Sequence, residues 1–168
     1  FIKTSYFWQN FWAIASHNLL DWVHDLVMIV FFLSYVYQKD GKPKLYKFSE
    51  VLFLSFVIAF SVLFINRFIF ADVFQVNRWS PSLFYDSGTF LSEKVHWLKV
   101  KDRSRESYPG DHGTTALFFV LFVFHLKGVK HGIVAFLYSL YWQLPRLVTG
   151  SHWLTDLLMG SLSISTLV

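Results

Sequence analysis

Apolar residues arrive in this chain in long, nearly unbroken blocks separated by short polar stretches, and the block lengths predict its architecture. Leu19 to Tyr37 (LLDWVHDLVMIVFFLSYVY) and Phe48 to Ala71 (FSEVLFLSFVIAFSVLFINRFIFA) each approach the ~20 residues an α-helix needs to cross a hydrocarbon layer ~30 Å thick. A third block, GTTALFFVLFVFHL, begins near Gly113 and reaches that length only if its helix starts at Pro109. A fourth runs from Gly132 to Val148, and a fifth, from Leu154 to Val168, meets the end of the chain. The expectation is an all-α, polytopic transmembrane bundle of about five spans, forming a single membrane-embedded domain over residues 1–168.

The first 18 residues are patterned differently. Phe1, Phe7, Trp8, Phe11, Trp12 and Ile14 fall roughly on one helical face, with Lys3, Gln9 and Asn10 elsewhere. That arrangement predicts a helix lying in the membrane interface, with a loose tethering tail as the alternative. A start at Phe1 rather than Met leads us to expect a piece of a longer protein, truncated at both ends.

The connections sort by length. Residues 38–47 (QKDGKPKLYK) and 127–132 (KGVKHG) are short, lysine-rich and free of Trp, whereas the connection over 72–111 is long. If the spans alternate, the long loop and the 149–153 turn share one side, together with Trp8, Trp12, Trp22, Trp79, Trp97 and Trp153, as an aromatic belt would. Short loops are the better topology signal, so the lysine linkers are expected in the cytoplasm.

Composition supports the same class. Of 168 residues, 54% are hydrophobic and 15% charged, well below the charge of a soluble domain. The absence of cysteine excludes disulfide and thiolate chemistry. A net charge of +4 suits an anionic partner, either lipid head groups or a phosphorylated substrate; nucleic acid is a poor fit, because no soluble basic face with base-stacking modules is present.

Three separated segments converge on one membrane face in this threading: NRWSP (77–81), KDRSRESYPGDHG (101–113) and PRLVTGSHWLTD (145–156). They bring Arg78, Lys101, Arg103, Arg105, His112, Arg146 and His152 together with Asp111 and Asp156. Ionised groups at the edge of a span cost about 2.5–3.5 kcal/mol each on insertion scales, a burden that usually marks function. His152 and Asp156 are four apart, so on a helix they share a face, and an aspartate accepting from Nδ1–H would leave Nε2 with a free lone pair. Arg146 lies upstream across Thr-Gly-Ser, where the chain can bend it back towards the histidine as a charged fork for phosphate oxygens. In YPGDHG, Pro109 suits a first helical turn, Gly110 admits a close backbone approach, and His112 sits at the positive end of the helix, placed to give or take a proton. A structural ion pair for Arg146, His152 and Asp156, and a simple Pro-Gly turn for the second segment, are the plainer alternatives. A metal held by His112, His152, Asp111 and Asp156 is opposed by the surrounding cations, which call for an anion instead. Asp21, His24 and Asp25 open the first block spaced along one helical face; contact with water is the preferred reading, a sugar or diphosphate contact the other. His17, His96, His125 and His131 are read as interfacial or linker residues.

PRLVTGSHWLTD resembles the third motif of the type 2 phosphatidic acid phosphatase superfamily: an arginine, five residues, a histidine, three residues and an aspartate. YPGDHG resembles its second motif, usually Pro-Ser-Gly-His, and NRWSP its first, so that the loop over 72–111 carries the first two. The wording SRESYPGDHG with PRLVTGSHWLTD is most similar to the branch that moves a phosphate from undecaprenyl diphosphate to lipid A. The resemblance implies transmembrane helices in the bacterial inner membrane, with a metal-independent, cofactor-free site facing the periplasm. It makes His152 the nucleophile, Asp156 its orienting partner and His112 the general acid, with Arg78 and Arg146 on phosphate oxygens. Two departures stand out. Ala71 occupies the place of the first-motif lysine, and Trp79-Ser80 separates Arg78 from Pro81. Gly110-Asp111 replaces Ser-Gly, which exchanges a hydroxyl ligand for a negative charge, with Lys101, Arg103 or Arg105 as compensation and Arg105, nearest the motif, preferred. The functional expectation is phosphoryl transfer from a lipid diphosphate, the substrates being undecaprenyl diphosphate and lipid A among membrane lipids. A lipid phosphate or undecaprenyl pyrophosphate phosphatase is the first alternative. A non-catalytic transporter or lipid-binding protein is the second; its sign would be matching helix-breaking segments in two related halves, and none is found.

Overall fold

The computed structural model describes residues 5–76, 78–85, 90–105, 107–108, 110–162 and 165. Every regular element among them is helical. Helix α1 spans Tyr6–Ala15, α2 Asn18–Val36, and α3 Lys44–Phe60, continuing without a break as a π-helical stretch over Ser61–Val73. A single turn, α4, covers Pro81–Phe84 with its proline at the start, where a missing N–H costs nothing. Helices α5 (Asp111–Lys127) and α6 (Val129–Val148) follow, and after them a π turn over Asp156–Gly160.

The first apolar block is α2 to within a residue at each end. Its start is fixed by His17, whose Nδ1 accepts from the N–H of Leu19 at 3.1 Å, and α1 is stopped just before by Ser16, whose hydroxyl bonds back to Trp12 and Ala13. The second block extends further than its apolar residues suggest, because Pro43 initiates the helix at Lys44. Among the described residues, α2 and the 30-residue rod Lys44–Val73 are long and apolar enough to cross a membrane. The third and fourth blocks are α5, with 17 residues, and α6, with 20. Of the fifth, residues 154–162 are helical or π-helical, and 163, 164 and 166–168 lie outside the described residues. Pro109, the expected helix start, also lies outside them; Gly110 is the N-cap of α5.

Helices α5 and α6 form the most extensive packing of the fold. Gly128, at φ +78°, turns the chain between them, a left-handed conformation in which a Cβ would be strained. Phe119, Val120 and Val123 of α5 pack with Ala135 of α6 and Phe32 of α2 to make the central core. Helix α3 covers this core on one side only. Its outer face is a ladder of stacked rings, Phe56, Phe60, Phe64 and Phe68, with centroids 6.1, 5.0 and 5.4 Å apart in succession. A second cluster, Ala13 with Leu91, Val95 and Val100, docks α1 onto the long loop, and Phe7, Trp8, Phe11 and Ile14 stay exposed.

The two ends of the bundle differ in chemistry. At one, Lys47 is fully buried and ion-paired to Asp40 at 2.5 Å, and Lys127 donates to Ser34 at 2.6 Å. At the other, Trp97 donates to Asn10 at 2.8 Å and Trp153 to the carbonyl of Trp79 at 2.8 Å. The lysine linkers and the tryptophans therefore separate to opposite ends, and the three motif segments belong to the tryptophan end.

Candidate active site

Local chain geometry assembles the site before any side chain is considered. After α6 ends at Val148, Gly150 adopts φ +73° and the backbone N–H groups of Ser151 and His152 both turn back to the carbonyl of Arg146, at 3.1 and 3.3 Å. This hairpin places His152 above the end of α6 and next to Arg146. Helix α5 begins against it: a Cβ built on Gly110 would lie 3.8 Å from Nδ1 of His152 and 3.2 Å from Leu157. Three residues further, at Gly113, a Cβ would fall 2.5 Å from the Ser161 hydroxyl and 3.1 Å from the carbonyl of Leu157, so α5 and the π turn touch backbone to backbone. The positive end of α5 is thereby aimed at the His152 ring.

His112, in the first turn of α5, faces His152 with ring centroids 6.4 Å apart. Arg146 Nη2 lies 3.4 Å from His112 Nε2. His152 and Arg146 are buried, at 7% and 3% exposure, and the His112 side chain remains partly open. The spatial prediction that the two imidazoles meet beside a guanidinium therefore agrees with the structure.

The partner of His152 differs from the expected one. Its Nδ1 lies 2.8 Å from the backbone carbonyl of Ser107, and Asp156 does not reach the ring. The reason is local: 151–153 is a turn and the helix begins only at Leu154, so positions 152 and 156 do not share a helical face. A carbonyl can only accept, so Nδ1 carries the proton and the neutral ring presents a bare Nε2. Asp156, fully buried, accepts instead from the Ser107 hydroxyl at 2.8 Å, Arg78 Nη1 at 2.9 Å and the Trp153 N–H at 3.3 Å. It orients His152 at one remove, by fixing the residue whose carbonyl holds the ring.

Burial pushes the His152 ring down to about 4, opposed by the Ser107 carbonyl and reinforced by the positive charges of His112, Arg146 and Lys101. The ring is therefore neutral at neutral pH, with the lone pair of Nε2 free. Because the folded value lies below the ordinary 6.5, the unfolded chain takes up this proton first on acidification. The stability the neutral ring contributes is complete above pH 6.5 and is lost as pH falls from there towards 4. A histidine resonance that disappears in His152→Asn should accordingly titrate near pH 4 in the folded protein; titration near 6.5 would contradict the burial.

The other expected phosphate contacts divide. Arg78 stacks its guanidinium over Trp153 at 4.6 Å and borders a cavity of about 590 Å³ walled by Trp79, Leu83, Phe84 and Trp153. Lys101 contributes its charge to His152, and Arg105 is exposed nearby in sequence. Arg103 serves the loop, stacking on Phe90 at 4.2 Å and pairing with Glu93 and Asp102. Asp111, expected among the phosphate-binding residues, turns away: its carboxylate accepts from Asn66 at 3.0 Å and Arg67 at 3.2 Å, both on the second apolar rod. The negative charge at that position is thus engaged in helix packing.

Sequence reasoning undervalued two residues. Asp21, expected against water, accepts from Arg146 Nη2 through both oxygens at 2.5 and 2.7 Å and lies 3.4 Å from His112 Nε2. Its spacing with His24 and Asp25 was the available signal. His24 is buried, bonded through Nδ1 to the Tyr138 hydroxyl and stacked 4.8 Å from Trp142, while Asp25 is exposed. Ser107 carried no recognisable signal, since its contribution to His152 is a backbone carbonyl.

Comparison with proteins of known function finds a relative 28% identical over 152 residues, covering 90% of this chain and 62% of the relative. The relative is lipid A 1-diphosphate synthase of Escherichia coli (strain K12). The chain thus spans less than two thirds of the relative's length. No family model matches the chain. No solved structure matches it. The similarity runs through nearly the whole chain and so includes all or most of the segments that converge on His112 and His152.

Proposed function

We propose that this chain is a membrane-embedded enzyme of the type 2 phosphatidic acid phosphatase kind that transfers a phosphoryl group of a lipid diphosphate through a phosphohistidine. Its substrates in this reading are undecaprenyl diphosphate as donor and lipid A 1-phosphate as acceptor, at the periplasmic face of the inner membrane. The observation that carries the proposal is the 6.4 Å pairing of His112 with a His152 whose Nε2 is unprotonated, edged by a buried arginine.

In the first step Nε2 of His152 attacks phosphorus, the bond to the lipid phosphate leaving group breaks, and His112 gives its proton to the departing oxygen. Arg146 and Arg78 neutralise charge spread over the equatorial oxygens, and Lys101 and Arg105 add to the positive field. In the second step His112 takes the acceptor's proton as the acceptor oxygen attacks the phosphohistidine, which restores His152. The same relative supports the lipid phosphotransferase reading through its name, 1-diphosphate synthase.

The test uses detergent-purified protein and donor labelled in the terminal phosphate. Orthovanadate, a mimic of pentacoordinate phosphorus, is expected to block turnover, and EDTA to leave it unchanged. Loss of activity on chelation would refute the histidine mechanism. With lipid A present, thin-layer separation should show label on the lipid acceptor; label released only as free phosphate would make the enzyme a phosphatase. No turnover of any lipid phosphate would leave a non-catalytic lipid-binding protein.

A further inference from the structure

Asp21 is an acid seated among the cations of a site read as binding an anion, and the mechanism above gives it no task. We propose that Asp21 is a resident counter-anion: its carboxylate holds the place between Arg146 and His112 that phosphoryl oxygens take, and it yields that place to the incoming group. The inference rests on the phosphoryl-transfer reading and names the residue that sets anion affinity at that site.

Three contacts make one knot. Arg146 Nη2 bonds both carboxylate oxygens at 2.5 and 2.7 Å, His112 Nε2 lies 3.4 Å from Oδ2, and the same Nη2 lies 3.4 Å from His112 Nε2. A buried guanidinium with no neighbouring anion is costly, so a carboxylate here stabilises the folded chain. Asp21 satisfies only half of the fork, however. Arg146 Nη1 is buried and has no hydrogen-bond partner among the described residues, and neither has the indole N–H of Trp142, the ring packed against His112 at 6.3 Å. A phosphoryl group brings three oxygens to the transition state, enough to occupy both nitrogens of the fork together, which a carboxylate held on one nitrogen does not do.

Asp21 is also placed to move. Its side chain is 26% exposed, against 4% for Arg146, and it stands in the first turn of α2, a different element from Arg146 and from His112. The α2 N-terminus favours a carboxylate there, so the charge keeps a partner after leaving Arg146. If both anions stayed, the carboxylate and the phosphoryl oxygens would repel at close range in a poorly hydrated site.

A purely structural clamp on Arg146 makes the opposite prediction, and inhibition by orthovanadate separates the two. Asp21→Asn keeps the shape and removes the charge; the proposal expects orthovanadate to inhibit this variant at least about tenfold more tightly than wild type. Asp21→Glu keeps the charge and is expected to stay within about threefold. Unchanged or weaker inhibition of Asp21→Asn overturns the proposal. The second measurement is the shift in thermal midpoint on adding orthovanadate or inorganic phosphate, expected to be larger for Asp21→Asn than for wild type because the ligand restores the missing charge. Recovery of folded Asp21→Asn only with one of these anions present supports the proposal, and failure to fold even then overturns it. Wild type insensitive to orthovanadate would instead defeat the phosphohistidine reading itself.

Discussion

Replacing His152 with asparagine is expected to lower phosphoryl transfer by at least about 10⁴-fold while leaving the chain folded. Asparagine retains an N–H donor near the position of Nδ1, so the bond to the Ser107 carbonyl, 2.8 Å in the native chain, can persist. What disappears is Nε2, the atom that would carry the phosphoryl group. Loss of a nucleophile that works as a unit with an acid and a cationic clamp removes nearly all the acceleration the unit supplies. Two measurements check this together: kcat/KM with labelled donor, and acid-labile label trapped on the protein during turnover. Trapped label on His152→Asn, or activity within a hundredfold of wild type, would move the nucleophile to another residue.

Asp156→Ala is expected to produce the largest loss of stability at the site, about 3 kcal/mol, together with a fall of about 10²-fold in turnover. The carboxylate is completely buried and accepts from three donors on three segments: the Ser107 hydroxyl, Arg78 and the N–H of Trp153. Removing it leaves the Trp153 N–H and the Arg78 charge without their anion, while the Ser107 hydroxyl keeps the Arg78 carbonyl at 3.0 Å and Arg78 Nη1 keeps the Thr155 hydroxyl at 2.9 Å. The stability figure sits at the low end for a broken buried pair because the Arg78 side chain is 44% exposed and recovers hydration. Turnover suffers by a separate route, since Ser107 then loses one of the anchors that hold its carbonyl against His152, keeping only its bonds to the Arg78 carbonyl, and the ring is less firmly oriented. A thermal midpoint and a turnover number, both in detergent, test the two halves. Native stability in this variant would show that Arg78 and Ser107 are held by something else.

The helices were legible because long apolar blocks leave few ways to satisfy a backbone away from water. The outline of α2 follows from that alone, whereas the rod over Lys44–Val73 starts ahead of its apolar block, where Pro43 initiates the helix. The meeting of His112 and His152 was legible too, since the expected alternation of the apolar blocks puts both segments at one end of the bundle. What the pattern could not show was the hydrogen bonding within that meeting. The four-residue spacing of His152 and Asp156 suggested a shared helical face, but the backbone of Ser151 and His152 is drawn back to Arg146 and the helix starts later. Asp111 looked like part of an anion site until Asn66 and Arg67, polar residues inside an apolar block, supplied its partners. Asp21 was hidden for the converse reason: its partner is 125 positions away, and spacing along one helix says nothing about such a contact.

The contact at Gly113 has a consequence for the reach of the chemistry. The separation between the two rings is gauged by a residue that has no side chain and takes no part in bond making. Through that seam, one hydrogen atom thick on the glycine side, the start of α5 is referenced directly to the segment following His152. Any methyl group there would act as a shim, forcing both walls apart, and in the proposed reaction it would lengthen the path along which phosphorus travels. A chain that needed to admit a bulkier centre, or to exclude a smaller one, would have a mechanical adjustment available without touching a single reactive atom.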